Sequence, residues 1–138
     1  MTLKEYLNTN DRYARAGGMQ LTSILPDAAE AVMQVADMHL NGAGVCQGGA
    51  LYTLADLAVA AVMNSSGCTT VGIENSMTYH RPAMPGDRLT ARATMTCDHR
   101  RLPLCKVEVR NDKEELIASG SFLGYRKNEK MADFEALM

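Results

Sequence analysis

The 138-residue chain has no tryptophan, only two phenylalanines and no excess of either charge. Fourteen basic residues face sixteen acidic ones, a net charge of −2. That balance gives no electrostatic footprint for nucleic acid or an anionic membrane surface. The longest apolar run, Ala50 to Met63, has about 14 residues, short of the roughly 18 that span a bilayer. The N-terminal MTLKEYLNTNDRYARAGG lacks a signal-peptide core and mixes its Arg and Lys with Asp and Glu, so the expected compartment is the cytoplasm. The four cysteines, Cys46, Cys68, Cys97 and Cys105, form no C-x-x-C pair and stand near no histidine at zinc-site spacing. They are expected to be reduced, structural thiols with no metal. Phosphate-binding glycine loops, the dinucleotide fingerprint, H-E-x-x-H and G-x-S-x-G are all missing, which removes the commonest nucleotide, zinc-protease and serine-hydrolase chemistries.

The composition that remains, 46% hydrophobic and 22% charged, is that of one globular domain, taken here as residues 1–138. Residues 2–15 have helical character up to Gly17-Gly18. Extended stretches follow near Met19–Leu25 and Ala31–Met38, with Pro26-Asp27 between them. A glycine-rich loop, His39 to Gly49, leads into the Ala50–Met63 helix. The cluster Asn64-Ser65-Ser66-Gly67 stops that helix. Strands are then expected near Thr69–Tyr79, Arg88–Asp98, Leu104–Asn111 and Leu116–Tyr125, with a short hairpin at Asn111–Glu114 and a polar tail over residues 128–138. One buried helix followed by long antiparallel strands predicts an α+β fold in which a single sheet wraps the helix. Most of the ten methionines are expected to fill core.

Asp56 is the one ionisable residue between Gly48 and Met63. A carboxylate inside an apolar helix is paired, protonated or placed in a cleft for a purpose. Two readings stay open: a satisfied core group bonded to Thr53 or nearby backbone donors, or a catalytic carboxylate facing a pocket. The helix start near Gly48 and Gly49 offers unpaired N–H groups and the positive end of the helix dipole, a site for a carbonyl oxygen. Asp56 lies seven residues beyond Gly49, about 10 Å along the axis, too far for one reacting group to meet both. Two copies of the helix lying antiparallel would bring the start of one beside the middle of the other.

The run Leu40-Asn41-Gly42 through Cys46-Gln47-Gly48-Gly49-Ala50-Leu51-Tyr52-Thr53-Leu54-Ala55-Asp56, followed by Met77-Thr78-Tyr79-His80-Arg81-Pro82-Ala83 and Gly86-Asp87, resembles the signature of the hotdog-fold acyl-CoA thioesterases of the phenylacetic acid degradation (PaaI-like) type. The likeness covers roughly residues 12 to 126. It implies the hotdog fold, a single central helix wrapped by a curved antiparallel sheet. It also implies hydrolysis of a small acyl- or aryl-acyl-CoA without cofactor or metal. Asp56 would be the nucleophile or, in the favoured reading, the base that activates water; the Gly48 N–H would polarise the thioester carbonyl across a dimer interface, and Asn41 would add a side-chain hydrogen bond. Gln47 occupies the place of the family's usual histidine and cannot exchange a proton near neutral pH. Gly49, Thr53, His80 and Arg81 are the expected substrate-binding residues, and Arg100, Arg101 and Lys106 form a second basic group. His39 and His99 read as ordinary loop or surface residues. Gly72 stands where some members carry a water-binding serine, with Thr70 and Glu74 close by. The expected partners are acyl-CoA and a second copy in a homodimer, assembled further into a homotetramer, with no nucleic acid or membrane. The alternative is a catalytically weak acyl-CoA-binding protein.

Overall fold

The computed structural model describes residues 1–135 and 137. The chain begins with two short helices, α1 (Leu3–Asn10) and α2 (Arg12–Ala16), where the sequence suggested one. Thr2 and Glu5 form a reciprocal capping box that starts α1. Asp11 then ends α1 and caps α2, its carboxylate accepting from the Ala14 N–H at 3.3 Å. Asn8 ties α1 to the sheet by accepting from the Leu21 N–H at 2.8 Å and donating to the Leu21 carbonyl at 3.1 Å.

Six strands follow: β1 (Gln20–Leu25), β2 (Ala28–Gln34), β3 (Cys68–Tyr79), β4 (Arg88–Cys97), β5 (Leu104–Arg110) and β6 (Leu116–Lys130). They make one antiparallel sheet in the order β1-β2-β4-β5-β6-β3. The long helix α3 (Gly48–Asn64) packs against the strands. Inward residues alternate with polar outward ones, as in Cys105, Val107 and Val109 against Lys106, Glu108 and Arg110. Alanines at 29, 31, 91 and 93 on the sheet and at 55, 58 and 61 on the helix are all fully covered. These small side chains let helix and sheet approach closely. The fold is the α+β hotdog arrangement that the resemblance implied.

Three differences from the expected elements have local causes. Strand β2 starts at Ala28, not Ala31, because Pro26-Asp27 forms a two-residue turn and Leu25 pairs directly with Ala28. The chain beyond Gln34 leaves the sheet for a short 3-10 turn at Asp37–His39. Strand β6 continues to Lys130, its end pairing with Cys68. Asn64 ends α3 as expected and also holds β3: its side chain accepts from the Thr70 N–H at 2.8 Å and donates to the Thr70 carbonyl at 3.2 Å. The Asn111 hairpin forms with Glu114 at φ 61° and the Asn111 carboxamide accepting from the Lys113 and Glu115 N–H groups. No helix is long and apolar enough to cross a membrane among the described residues.

Two features are left open on one side of the molecule. Among the described residues strand β3 pairs only with β6, so its other edge is unpaired, with Val71 and Ile73 exposed beside it. On α3 the residues Gly49, Tyr52, Thr53, Asp56 and Ala60 are exposed or half-buried, whereas Leu51, Leu54, Ala55, Leu57 and Ala58 are covered. That spacing is one stripe along the helix. The helix read as interior on every side is therefore accessible along one face.

Candidate active site

The glycine loop is braced by backbone bonds before α3 begins. Gln47 N–H donates to the His39 carbonyl at 2.7 Å, and Cys46 N–H donates to the Ala83 carbonyl at 2.9 Å. Asn41 accepts from the Ala43 and Val45 N–H groups at 2.9 and 3.3 Å. Its oxygen is thereby committed to the loop, while its NH₂ has no partner among the described residues. Gln47 is the N-cap of α3 with extended backbone and no side-chain cap bond. The Gly48 and Gly49 N–H groups also find no acceptor among the described residues, as the first turn of a helix requires.

Tyr79 fixes this turn from β3. Its hydroxyl donates to the Gly48 carbonyl at 3.0 Å, and a Cβ built on Gly48 would stand 3.0 Å from the tyrosine ring. A side chain at 48 would therefore need the tyrosine ring to give by a few tenths of an ångström. Burial pushes the Tyr79 phenol up, and Tyr52 nearby pushes it further, so the hydroxyl keeps its proton. Tyr79→Phe is expected to keep the ring contact and lose the bond, costing about 0.5–1.5 kcal/mol in a thermal or denaturant melt. An unchanged melt would show that the bond contributes nothing.

Gly48 and Asn41 share a cavity of about 410 Å³ with Cys46, Tyr79, His80 and Arg81. At its rim His80 bonds the Ser119 hydroxyl at 2.8 Å, and Arg81 is ion-paired with Glu115. Asp56 faces a different cavity, about 620 Å³, bounded by α1, α2, α3 and β3. Tyr6, Asn10, Asp11, Val59, Met63 and Asn75 are among its walls. No donor among the described residues bonds the Asp56 carboxylate. Thr53, the partner considered from sequence, donates instead to the Gly49 carbonyl at 2.8 Å. Burial raises the Asp56 pKa, and the charge of Asp11 raises it further. Asp56 is thus a half-buried carboxylate with raised basicity, facing a space large enough for a small ligand.

Residues 43–118 match the thioesterase superfamily. The chain belongs to that family. The acyl-coenzyme A thioesterase PaaI of Escherichia coli is 33% identical over 109 residues, 79% of this chain and 78% of that protein. The solved structure of the E. coli PaaI protein superposes with a TM-score of 0.89 at 29% identity, covering 93% of both chains. A mutant of the phenylacetic acid degradation protein PaaI from Thermus thermophilus gives a TM-score of 0.81 at 32% identity, covering 85% of this chain and 100% of that one. The protein is a PaaI-like hotdog thioesterase, a thioester hydrolase.

In this thioesterase the sequence-predicted residues fall into separate groups. Asn41, Gly48, His80 and Arg81 come together, whereas Asp56 stands apart on the next cavity along the helix. Gln47 lines a third, small cavity of about 160 Å³ with Tyr13, Met38 and His39. Gly49 and Thr53 lie on the open stripe of α3 and line none of these cavities. His39 is not a surface residue: it is buried, with Nδ1 accepting from the Ala36 N–H at 2.9 Å and Nε2 placed 2.7 Å from the Gly17 carbonyl. Those two bonds fix the neutral tautomer with the proton on Nε2. His99 is exposed and accepts from the Arg101 and Leu102 N–H groups, which shapes the β4–β5 turn.

Near Asp56 the thioesterase has no side chain at Gly72, and the carboxamide of Asn75 fills that space, its nitrogen 3.1 Å from where a Cβ would stand. Asn75 is held by a 2.7 Å bond from its NH₂ to the Tyr52 hydroxyl. Thr70 spends its hydroxyl on the Met63 and Cys68 carbonyls, and Glu74 is exposed. Sequence reasoning missed Tyr79, Tyr52, Asn75 and Asp11. Asp11 lay inside the stretch read as one helix, so nothing local singled it out. All four cysteines are free thiols, with Cys46 and Cys105 buried.

Proposed function

We propose that this thioesterase hydrolyses a small acyl- or aryl-acyl-CoA to the free acid and CoA, in sites shared between two copies of the chain. The observation that carries the reading is the separation of the two halves of the chemistry. An unpartnered carboxylate, Asp56, lines one cavity, and Gly48, whose N–H is free at the start of the same helix, lines another. A second copy, laid antiparallel along the open stripe of α3, supplies the missing half to each. The unpaired edge of β3 beside that stripe gives the second copy a place to add its own strand.

In the proposed step Asp56 takes a proton from water as the water oxygen bonds to the thioester carbonyl carbon. The carbonyl oxygen becomes an oxyanion held by the Gly48 N–H of the other chain and the free NH₂ of its Asn41. Collapse of the tetrahedral intermediate breaks the carbon–sulfur bond, and CoA leaves as the thiolate. Burial makes Asp56 a stronger base, and oxyanion donors are typically worth about 10²–10³ in rate. Gln47 serves the helix start through its backbone carbonyl, which accepts from the Ala50 and Leu51 N–H groups at 3.0 and 3.3 Å, a role that needs no proton transfer. His80, Arg81, Gly49 and Thr53 are assigned to substrate binding, and Arg81 is the group proposed to meet the CoA phosphates. The homology to a protein named acyl-coenzyme A thioesterase supports the substrate class. A single domain over 1–138, a homotetramer and a cytoplasmic location complete the proposal.

A thiol-release assay over short, medium, long and aromatic acyl-CoAs tests it. Turnover of at least one series member is expected. Tight CoA binding with no turnover of any substrate would overturn hydrolysis and leave a binding protein.

A further inference from the structure

We propose that the segment following β6 closes the far end of the Asp56 cavity and sets the longest acyl chain the thioesterase accepts. This rests on the reading of Asp56 as the hydrolytic base. From Asp56 the cavity follows α3 through Val59, Ala60 and Met63 to Asn64. The eight steps from Asp56 to Asn64 rise about 12 Å, the length of about ten bonds of an extended chain.

Register places the tail at that far end. Lys130, the last residue of β6, pairs with Cys68, and Thr70, bonded to Asn64 at the end of α3, pairs with Arg126. The next residue after β6, Met131, is therefore beside the end of the helix, where it lines the cavity. The chain then crosses to α1: Phe134 packs edge-on against Tyr6 with ring centroids 5.4 Å apart, and the Glu135 N–H donates to the Met1 carbonyl at 3.2 Å. Tyr6 is itself a cavity wall. The tail expected to be polar thus supplies an apolar plug, Met131, and a clasp, Phe134 on Tyr6.

The polar groups at this end are already committed. The Asn64 carboxamide bonds the Ala60 carbonyl and the Thr70 backbone, and the Thr70 hydroxyl bonds the Met63 and Cys68 carbonyls. What remains for a ligand is the Met63 and Met131 side chains, flexible and polarisable surfaces suited to the end of an alkyl chain. Space for Met63 is kept by Gly124, where an added Cβ would lie 2.6 Å from the Met63 sulfur.

The experiment is a chain-length profile of kcat/KM by thiol release from hexanoyl-, decanoyl-, tetradecanoyl- and hexadecanoyl-CoA. It compares the full chain, a chain ended after Lys130, and the full-length variants Met131→Ala and Phe134→Ala. The full chain is expected to fall off beyond decanoyl-CoA. Opening the far end is expected to raise the hexadecanoyl-to-hexanoyl ratio about tenfold or more, since each methylene admitted to an apolar pocket is worth a factor of about 10 or more. Met131→Trp is expected to move the ratio the other way. The point substitutions keep the test decisive if the shortened chain does not fold. Ratios in the Met131 and Phe134 variants equal to those of the full chain would overturn the proposal. Asp56→Ala, run alongside on hexanoyl-CoA, separates the two ideas: full activity there rejects the hydrolytic site, whereas loss there with unmoved length ratios rejects the plug alone.

Discussion

Asp56→Ala and Asp56→Asn are each expected to lower turnover of the best acyl-CoA by about 10²–10⁴, the usual range for a positioned general base, without lowering the stability of the fold. The second half of that expectation follows from what Asp56 lacks. A structural aspartate in a helix would be bonded to Thr53 or to a backbone donor, and its removal would leave that donor unpaired. Here Thr53 bonds the Gly49 carbonyl and no donor among the described residues reaches the carboxylate. A core role predicts a less stable, still active variant; the hydrolytic role predicts the reverse. Thermal melts and thiol release on the same preparations decide between them.

The pH dependence carries the same signature. Burial, and then the charge of Asp11, raise the Asp56 pKa in the folded protein. The folded state therefore holds this proton to higher pH than the unfolded chain does. The stability linked to it is fully present below the unfolded pKa and is lost as pH rises through the folded one. Asp56→Asn has no such loss, so its melting temperature relative to the unsubstituted protein should climb as pH rises through that window. The base must be ionised to work, so the rising limb of kcat/KM should lie above the ordinary aspartate range. A rising limb at the ordinary aspartate pKa, with a flat stability difference, would place the carboxylate outside the buried site.

Asp56 was legible in the sequence because it interrupts an otherwise apolar helix, and burial of a lone charge needs a reason. The wrapped-helix fold was legible for a related reason: one long apolar run followed by strands with turn residues between them leaves few arrangements. The start of β2 was not. Ala28, Ala29 and Ala31 carry little strand preference, and they stand in the sheet because α3 needs small neighbours, a demand made by residues far away in the chain. Tyr79 and His39 escaped for the same cause. Their partners lie 31 and 22 residues distant, so no local spacing reveals them. The tail was read as polar because Met131 and Phe134 find their surroundings only after β6 has run back to Cys68, the first residue of β3.

Mixing Asp56→Ala protomers with Gly48→Ala protomers, each nearly inactive alone, is expected to restore about a quarter of the unsubstituted activity after subunit exchange, if each site takes Asp56 from one chain and Gly48 from the other. Half of the dimers formed at equal mixing contain one chain of each kind. In such a dimer one site inherits both defects and the other neither. Gly48→Ala is the suitable partner because its Cβ would stand 3.0 Å from the Tyr79 ring that braces the turn presenting the Gly48 N–H, while leaving Asp56 and its cavity in place. The separation of the two cavities along a single helix makes the outcome sharp. Were both groups supplied by one chain, every chain in the mixture would carry a broken site and no exchange could repair it. Activity that stays at the sum of the two variants, after exchange is verified by mass or affinity tagging, would therefore place Asp56 and Gly48 in the same protomer's site and remove the shared-site mechanism.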